Sequence, residues 1–168
     1  MDPNLITPFV SSVQNVFSTM LQLPVTTGEP HLHQESGPSH DVSGIIAMSG
    51  EVIGSVVLSF PEEVAVAIVA NFCGENLDPK DSDFADAVGE LVNMVSGGAK
   101  ALFPSNKAVS ISTPNVVVGA GHHIARAKDI PCVAIPCQSD CGDFTIEVGL
   151  RDNHEAAGAG AGNAAASA

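Results

Sequence analysis

One run of this 168-residue chain sets chemistry-bearing side chains at helical intervals. From Asp83 onward, Asp83, Asp86, Glu90, Asn93, Gly97 and Lys100 follow one another at steps of three, four, three, four and three, which on an α-helix makes a single stripe. Glu90 and Asn93 are neighbours on it. The carboxamide of Asn93 cannot act as a general base near neutral pH, but it both donates and accepts hydrogen bonds, which suits it to orient a water molecule. The stripe also breaks local rules. Asn is a mediocre helix former and each interior Gly costs about 1 kcal/mol relative to Ala, yet Asn93, Gly97 and Gly98 fall mid-helix. Breaches of this kind mark functional or close-packed positions. Two readings therefore stand side by side: a reactive stripe, or a solvated Asn93 beside glycines that admit a neighbouring element.

No other set of side chains competes. The chain has no glycine-rich phosphate loop ending in Lys-Ser/Thr, no His-Glu-x-x-His and no Gly-x-Ser-x-Gly. His31 and His33 would share one face of a strand, but two ligands do not make a metal site, and adjacent His122 and His123 would point to opposite sides of an extended segment. Cys132, Cys137 and Cys141 come nearest to a metal cluster; an offset of five puts the first two on opposite faces of a strand, with no evident fourth ligand. No metal site is expected. Four unevenly placed cysteines suggest reduced thiols rather than a disulfide framework, and Cys73 reads as a small core residue.

The stripe needs a support. On the same helix Phe84, Val88, Leu91, Val95 and Leu102, widened by Ala87, Val92 and Ala99, form one broad apolar face. Asp81 or Ser82 can cap it, and it ends near Pro104. Upstream, Thr7-Pro8 has the form of an N-cap and first helical residue, and Phe9, Val10, Val13, Val16, Phe17, Met20 and Leu21 carry a first helix to Pro24. Val25 to His40 offers at best one irregular strand and a loop. Val42 to Met48 and Val52 to Phe60 read as a hairpin around Ser49-Gly50-Glu51. Pro61-Glu62-Glu63 opens a second helix that stops at Gly74; apolar on every side, it is expected to be the most buried. Ala108 to Val118 is a strand candidate broken by Pro114. Cys132 to Pro136 and Asp143 to Arg151 form a second hairpin. In its last strand Phe144, Ile146, Val148 and Leu150 alternate with Thr145, Glu147, Gly149 and Arg151, which predicts one core face and one wet face.

The order helix, hairpin, helix, helix, strand, hairpin predicts an α+β fold, an antiparallel sheet with helices packed on it, and allows a degenerate internal repeat of a helix followed by strands. A single domain is expected over residues 1–155. The Ala/Gly-rich tail 156–168 has no side chains with which to build a core, so disorder is expected there and no function is assigned to it. A hydrophobic content of 45% agrees with one real core. With 6 Lys+Arg against 19 Asp+Glu the formal charge is −13, so a nucleic-acid backbone is repelled and a basic protein surface is the more natural partner. No basic segment leads into an apolar core at the N-terminus and no apolar run approaches the roughly 20 residues that span a bilayer. A cytoplasmic protein without membrane contact is expected.

Asp86-x-x-x-Glu90-x-x-Asn93, followed by Gly97, resembles the Asp/Ser-x3-Glu-x2-Asn signature of the CheC/CheX/FliY family of chemotaxis phosphatases. The stretch from Gly44 to Pro61 also resembles the segment upstream of that helix in CheX-like proteins, and the similarity runs from about Thr7 to about Arg151. A second Glu-x2-Asn site can lie in the family's first helix; here Asn15 is preceded three positions earlier by Ser12, so the chain is similar to the single-site CheX type.

The resemblance implies a CheC-like fold and hydrolysis of an aspartyl phosphate on a CheY-like receiver domain. Mg²⁺ would be carried by the phosphorylated partner, with no cofactor of the chain's own. Asn93 would position the in-line water, as a Gln does in GTPases, and Glu90 would pair with a lysine of the receiver. Asp86 would support them, and Gly97 would let the helix approach its partner or the sheet. A homodimer joined through the sheets is also implied, with the regular C-terminal strand offered to another edge. Two readings from other classes remain. A non-catalytic module of the same fold would dock a receiver or flagellar switch protein regardless of Asn93, and a metal-binding protein would use the His and Cys residues and carry metal on isolation.

Overall fold

Asp2, not Thr7, starts the first helix. Its carboxylate accepts a hydrogen bond from the Asn4 N–H at 2.9 Å and Pro3 takes the first helical position, the same cap-then-proline logic found one turn and more upstream of the expected start. Pro8 then sits inside the helix and is buried. The computed structural model describes residues 2–33, 40–104 and 107–154, so the Ala/Gly-rich tail lies outside the described residues. The elements are α1 (Pro3–Met20), β1 (Thr26–Thr27), β2 (His31–Leu32), β3 (Val42–Gly50), β4 (Val52–Phe60), α2 (Glu62–Cys73), α3 (Ser82–Ala101), β5 (Val109–Ile111), β6 (Asn115–Val118), β7 (Val133–Ser139) and β8 (Gly142–Asp152). Gly74 closes α2 in the left-handed conformation, φ 76°, which costs glycine nothing sterically. Pro114 parts β5 from β6 as expected.

Every strand pair is antiparallel, and the sheet runs β1-β7-β8-β4-β3-β5, with β2 also on β7 and β6 also on β3. The C-terminal strand is therefore interior. Val148 on β8 faces Val56 on one side and Val133 on the other, so β8 has no free edge for a second chain. The free edges belong to β1 and β2 at one end and to β5 and β6 at the other.

All three helices cover one face of the sheet. Phe144 of β8 lies at its centre, its ring centroid 5.1 Å from Phe17 of α1 and 5.1 Å from Phe60 of β4. Helix α3 seats on β3 over Gly44, where a Cβ would come within 3.1 Å of Val92 and 3.3 Å of Val88. Nine residues of α3 are buried against four of α2, so α3, not α2, is the more buried of the two. The reason is position. Helix α3 lies between α1, α2 and the sheet, whereas α2 packs at the flank of α3 and β8, leaving Val66, Ala67, Ala70 and Phe72 half-buried and Cys73 exposed. An all-round apolar pattern reports composition and does not show how many neighbours a helix will find.

The opposite face of the sheet is not uniformly wet. The segment 119–131 crosses it, and under that strap Glu147 retains 4% of its accessible surface. Its carboxylate is ion-paired with Arg126, and His33 Nδ1 lies 3.6 Å away. His122 is anchored to Ser43 Oγ through Nε2 at 2.8 Å and to the Gly119 carbonyl through Nδ1 at 2.7 Å, and Asp129 pairs with Arg151 at 3.5 Å. The alternation in β8 placed Phe144, Ile146, Val148 and Leu150 correctly in the core. It could not register a cover supplied by a remote loop.

Candidate functional site

The stripe on α3 faces outward. Asp83, Asp86, Glu90 and Lys100 are exposed, and Asn93 and Gly97 are half-buried. The start of the helix is fixed by Asp81, whose carboxylate accepts from the Asp83 N–H at 3.0 Å. Its middle is fixed by α1, where the buried Ser12 hydroxyl donates to the Val95 carbonyl at 2.6 Å. The two glycines divide the work expected of them. A Cβ on Gly98 would come within 2.4 Å of Ser12 Oγ, so this glycine admits α1; a Cβ on Gly97 would meet nothing within 4 Å. Gly97 is therefore not required for packing on the sheet, and its bare face belongs to the outer surface beside Asn93.

Neither Glu90 nor Asn93 spends its side chain on a hydrogen bond or ion pair among the described residues. They lie one turn apart on a helix whose other faces are locked in the core. An exposed carboxylate and a neighbouring unspent carboxamide can grip a cation and align a small polar molecule. Beside them runs a shallow groove of about 300 Å³ lined by Ala85, Asp86, Gly89, Glu90, Pro114 and Val116. The α3 residues of that groove were legible as part of the stripe. Pro114 and Val116 were not, because nothing local in the sequence brings β6 against α3.

The remaining candidates do not converge. Among the described residues no group of three or more His, Cys, Asp or Glu is placed to hold a metal ion. His31 is exposed, His33 approaches Glu147, and His122 is engaged by Ser43. Cys137 is buried, which pushes its thiol up to about 12. Burial, and then the Asp140 charge, also raise Cys141. On α1 Asn15 is exposed while Ser12 is consumed by its bond to Val95, so no second site forms there.

The family model of the chemotaxis phosphatase CheX matches residues 42–138, more than half of the chain and all of α3. The chain belongs to the CheX family. Among CheX relatives, the CheY-P phosphatase CheX of Thermotoga maritima is 31% identical over 121 residues, covering 71% of this chain and 78% of that one. A solved CheC-like superfamily protein from Shewanella sp. PV-4 is 35% identical with a TM-score of 0.81, over 90% of this chain and 99% of that chain. The CheX of a CheX–CheY–BeF3–Mg²⁺ complex from Borrelia burgdorferi shares the fold, with a TM-score of 0.72 and 22% identity over 88% and 97% of the two chains. The antiparallel sheet with helices on one face is thus the CheX architecture, and the matched segment contains Asp86, Glu90, Asn93 and Gly97.

Proposed function

We propose that this CheX-family chain is a protein phosphatase that hydrolyses the aspartyl phosphate of a CheY-like receiver domain, with Glu90 anchoring the receiver and Asn93 orienting the attacking water. The observation that carries the reading is the pair itself: two unspent polar side chains one turn apart on the exposed face of a helix fixed by Ser12, Gly44 and the core. The relative from Thermotoga maritima is named for the same reaction, and the relative from Borrelia burgdorferi was solved with CheY, BeF3 and Mg²⁺. Both support this assignment.

In this mechanism the Glu90 carboxylate takes a charge-assisted hydrogen bond from a receiver lysine, which seats α3 over the phosphorylated site. Asn93 holds a water through its carboxamide, opposite the aspartyl oxygen. The water oxygen bonds to phosphorus as the bond to that aspartyl oxygen breaks, giving inorganic phosphate and a free carboxylate, and the proton of the water leaves with the phosphate or to solvent. Mg²⁺ carried by the partner would supply the charge neutralisation at the phosphoryl oxygens, and the residues of this chain contribute orientation. Asp86 supports Glu90 from the preceding turn, and the bare surface at Gly97 lets the receiver come close to Asn93.

Phosphate release from a phosphorylated receiver tests this. Asn93→Ala removes a largely transition-state contribution and is expected to lower turnover by about two orders of magnitude or more with binding near wild type. Glu90→Ala is expected to weaken the complex as well. Wild-type turnover by Asn93→Ala would overturn the catalytic assignment and leave a docking module of the same fold.

A further inference from the structure

Among the described residues, five polar or charged side chains are buried, and four of them have partners: Ser12 donates to Val95, Ser43 meets His122, Ser59 accepts from the His40 N–H, and Glu147 pairs with Arg126. The fifth is Ser96, on α3. Its Oγ is the one buried side-chain nitrogen or oxygen among the described residues without a hydrogen-bond partner. A serine inside a helix ordinarily turns its hydroxyl to the carbonyl four residues back; Ser96 does not. Alanine at this position would be the better helix former, so the hydroxyl is carried at a cost that nothing in the unliganded fold offsets.

Its place on the helix gives the hydroxyl a use. Ser96 follows Asn93 by three residues, as Asn93 follows Glu90 by three, so the half-buried carboxamide stands between an exposed carboxylate and a buried hydroxyl. Cβ atoms at that spacing are about 5–6 Å apart. Side chains on a helix lean toward its N-terminus, which is the direction of Asn93 from Ser96. A hydroxyl can donate to Oδ1 or accept from Nδ2, and the carboxamide, whose rotation about χ2 is broad, has no bond of its own among the described residues. The backbone beneath is already fixed, because the Ser12 bond holds the carbonyl of Val95, immediately before Ser96. We propose that Ser96 is a positioning residue: when the receiver docks, its hydroxyl bonds one end of the Asn93 carboxamide, sets the plane of the amide and leaves the other end to hold the attacking water. The inference rests on the phosphatase reading above. It adds a residue from the buried flank of α3, outside the Asp86–Glu90–Asn93 signature.

Ser96→Ala separates this role from a structural one. The hydroxyl is unpaired in the free protein, so its removal should leave the urea midpoint at or above that of wild type. Against a phosphorylated receiver, kcat should fall by about tenfold, the worth of one hydrogen bond that orients the water. KM, and the affinity for a receiver carrying BeF3 and Mg²⁺, should stay within about twofold of wild type. In NMR of that complex the side-chain amide resonances of Asn93 should move between wild type and Ser96→Ala. Ser96→Ala/Asn93→Ala should be no slower than Asn93→Ala alone. Wild-type kcat for Ser96→Ala beside an inactive Asn93→Ala would overturn the inference and leave the phosphatase standing. A lowered urea midpoint with unmoved Asn93 amide resonances would also overturn it, since the hydroxyl would then serve the core. Wild-type turnover by Asn93→Ala would overturn the phosphatase reading itself, and the role of Ser96 with it.

Discussion

Gly97 and Gly98 are consecutive in the same helix, and replacing each by alanine should have effects of different sign. Both substitutions gain the same intrinsic helix propensity, about 1 kcal/mol, so that term cancels between them. The remainder is steric. The new methyl at residue 97 enters open space, whereas at residue 98 it would stand 2.4 Å from Ser12 Oγ. Relief requires the Ser12 hydroxyl to rotate away from the Val95 carbonyl, to which it now donates at 2.6 Å in a buried setting. A buried hydroxyl left without a partner costs about 1–3 kcal/mol. Gly97→Ala should therefore be more stable than wild type, and Gly98→Ala should fall below Gly97→Ala by about 1–3 kcal/mol. Urea unfolding followed by circular dichroism measures this, read from the midpoints provided that the m-values agree. Removing the hydroxyl supplies the control: Ser12→Ala/Gly98→Ala should recover most of the loss. Equal midpoints for the two glycine variants would refute the steric account of the α1–α3 contact. Gly97→Ala should also weaken receiver binding despite its steadier fold, because the methyl intrudes on the surface beside Asn93.

Three further outcomes are expected. Glu147→Ala strands the Arg126 guanidinium under the strap and should destabilise the fold by about 3–5 kcal/mol, with Arg126→Met/Glu147→Met recovering most of that; a loss below about 1 kcal/mol in urea unfolding would show that the pair is dispensable. The Cys137 thiol is raised from 9.0 to about 12, so between those values the unfolded chain releases a proton that the folded chain retains. Stability is then intact below the unfolded value and falls as pH rises, by up to about 1.4 kcal/mol per unit; Cys137→Ala should show a shallower fall between pH 9 and 10.5, and identical slopes would refute the burial argument. The chain should form a homodimer through a free sheet edge. Leu32 at one edge is 67% exposed and Val117 and Val118 at the other 36% and 38%, so Leu32→Lys or Val117→Lys should yield monomer by light scattering, and a monomeric wild type across micromolar concentrations would refute dimerisation.

What the sequence disclosed followed the reach of each signal. The Asp86–Glu90–Asn93 stripe was visible because neighbours on a helix are three or four residues apart, and the β3–β4 hairpin because its two strands are adjacent in the chain, with only Glu51 between them. Core residues of β8 were visible through their period of two. Features that depend on distant partners were silent. The cover over Glu147 comes from Arg126 and His33, the second wall of the groove from Pro114 and Val116, and the place of β8 between β4 and β7 from pairings that leave no local trace. The early start of α1 was a different kind of miss: Asp2-Pro3 and Thr7-Pro8 carry the same local signal, and the choice fell to how much helix could be packed on the sheet, where Leu5 is buried.

The interior position of β8 bears on how the protein is made. Both of its edges are filled, one by β4 and the other by β7, and it follows every other described strand and helix in the chain. A nascent chain leaving the ribosome has α1, the β3–β4 hairpin and α3 available early, yet the sheet cannot close until its central lane has been synthesised. Until then β4 and β7 present unpaired edges and Phe17 and Phe60 lack the ring that joins them. At about 5–20 residues per second the interval between β4 and β8 lasts several seconds, during which the unpaired edge of β4 is open to mispairing.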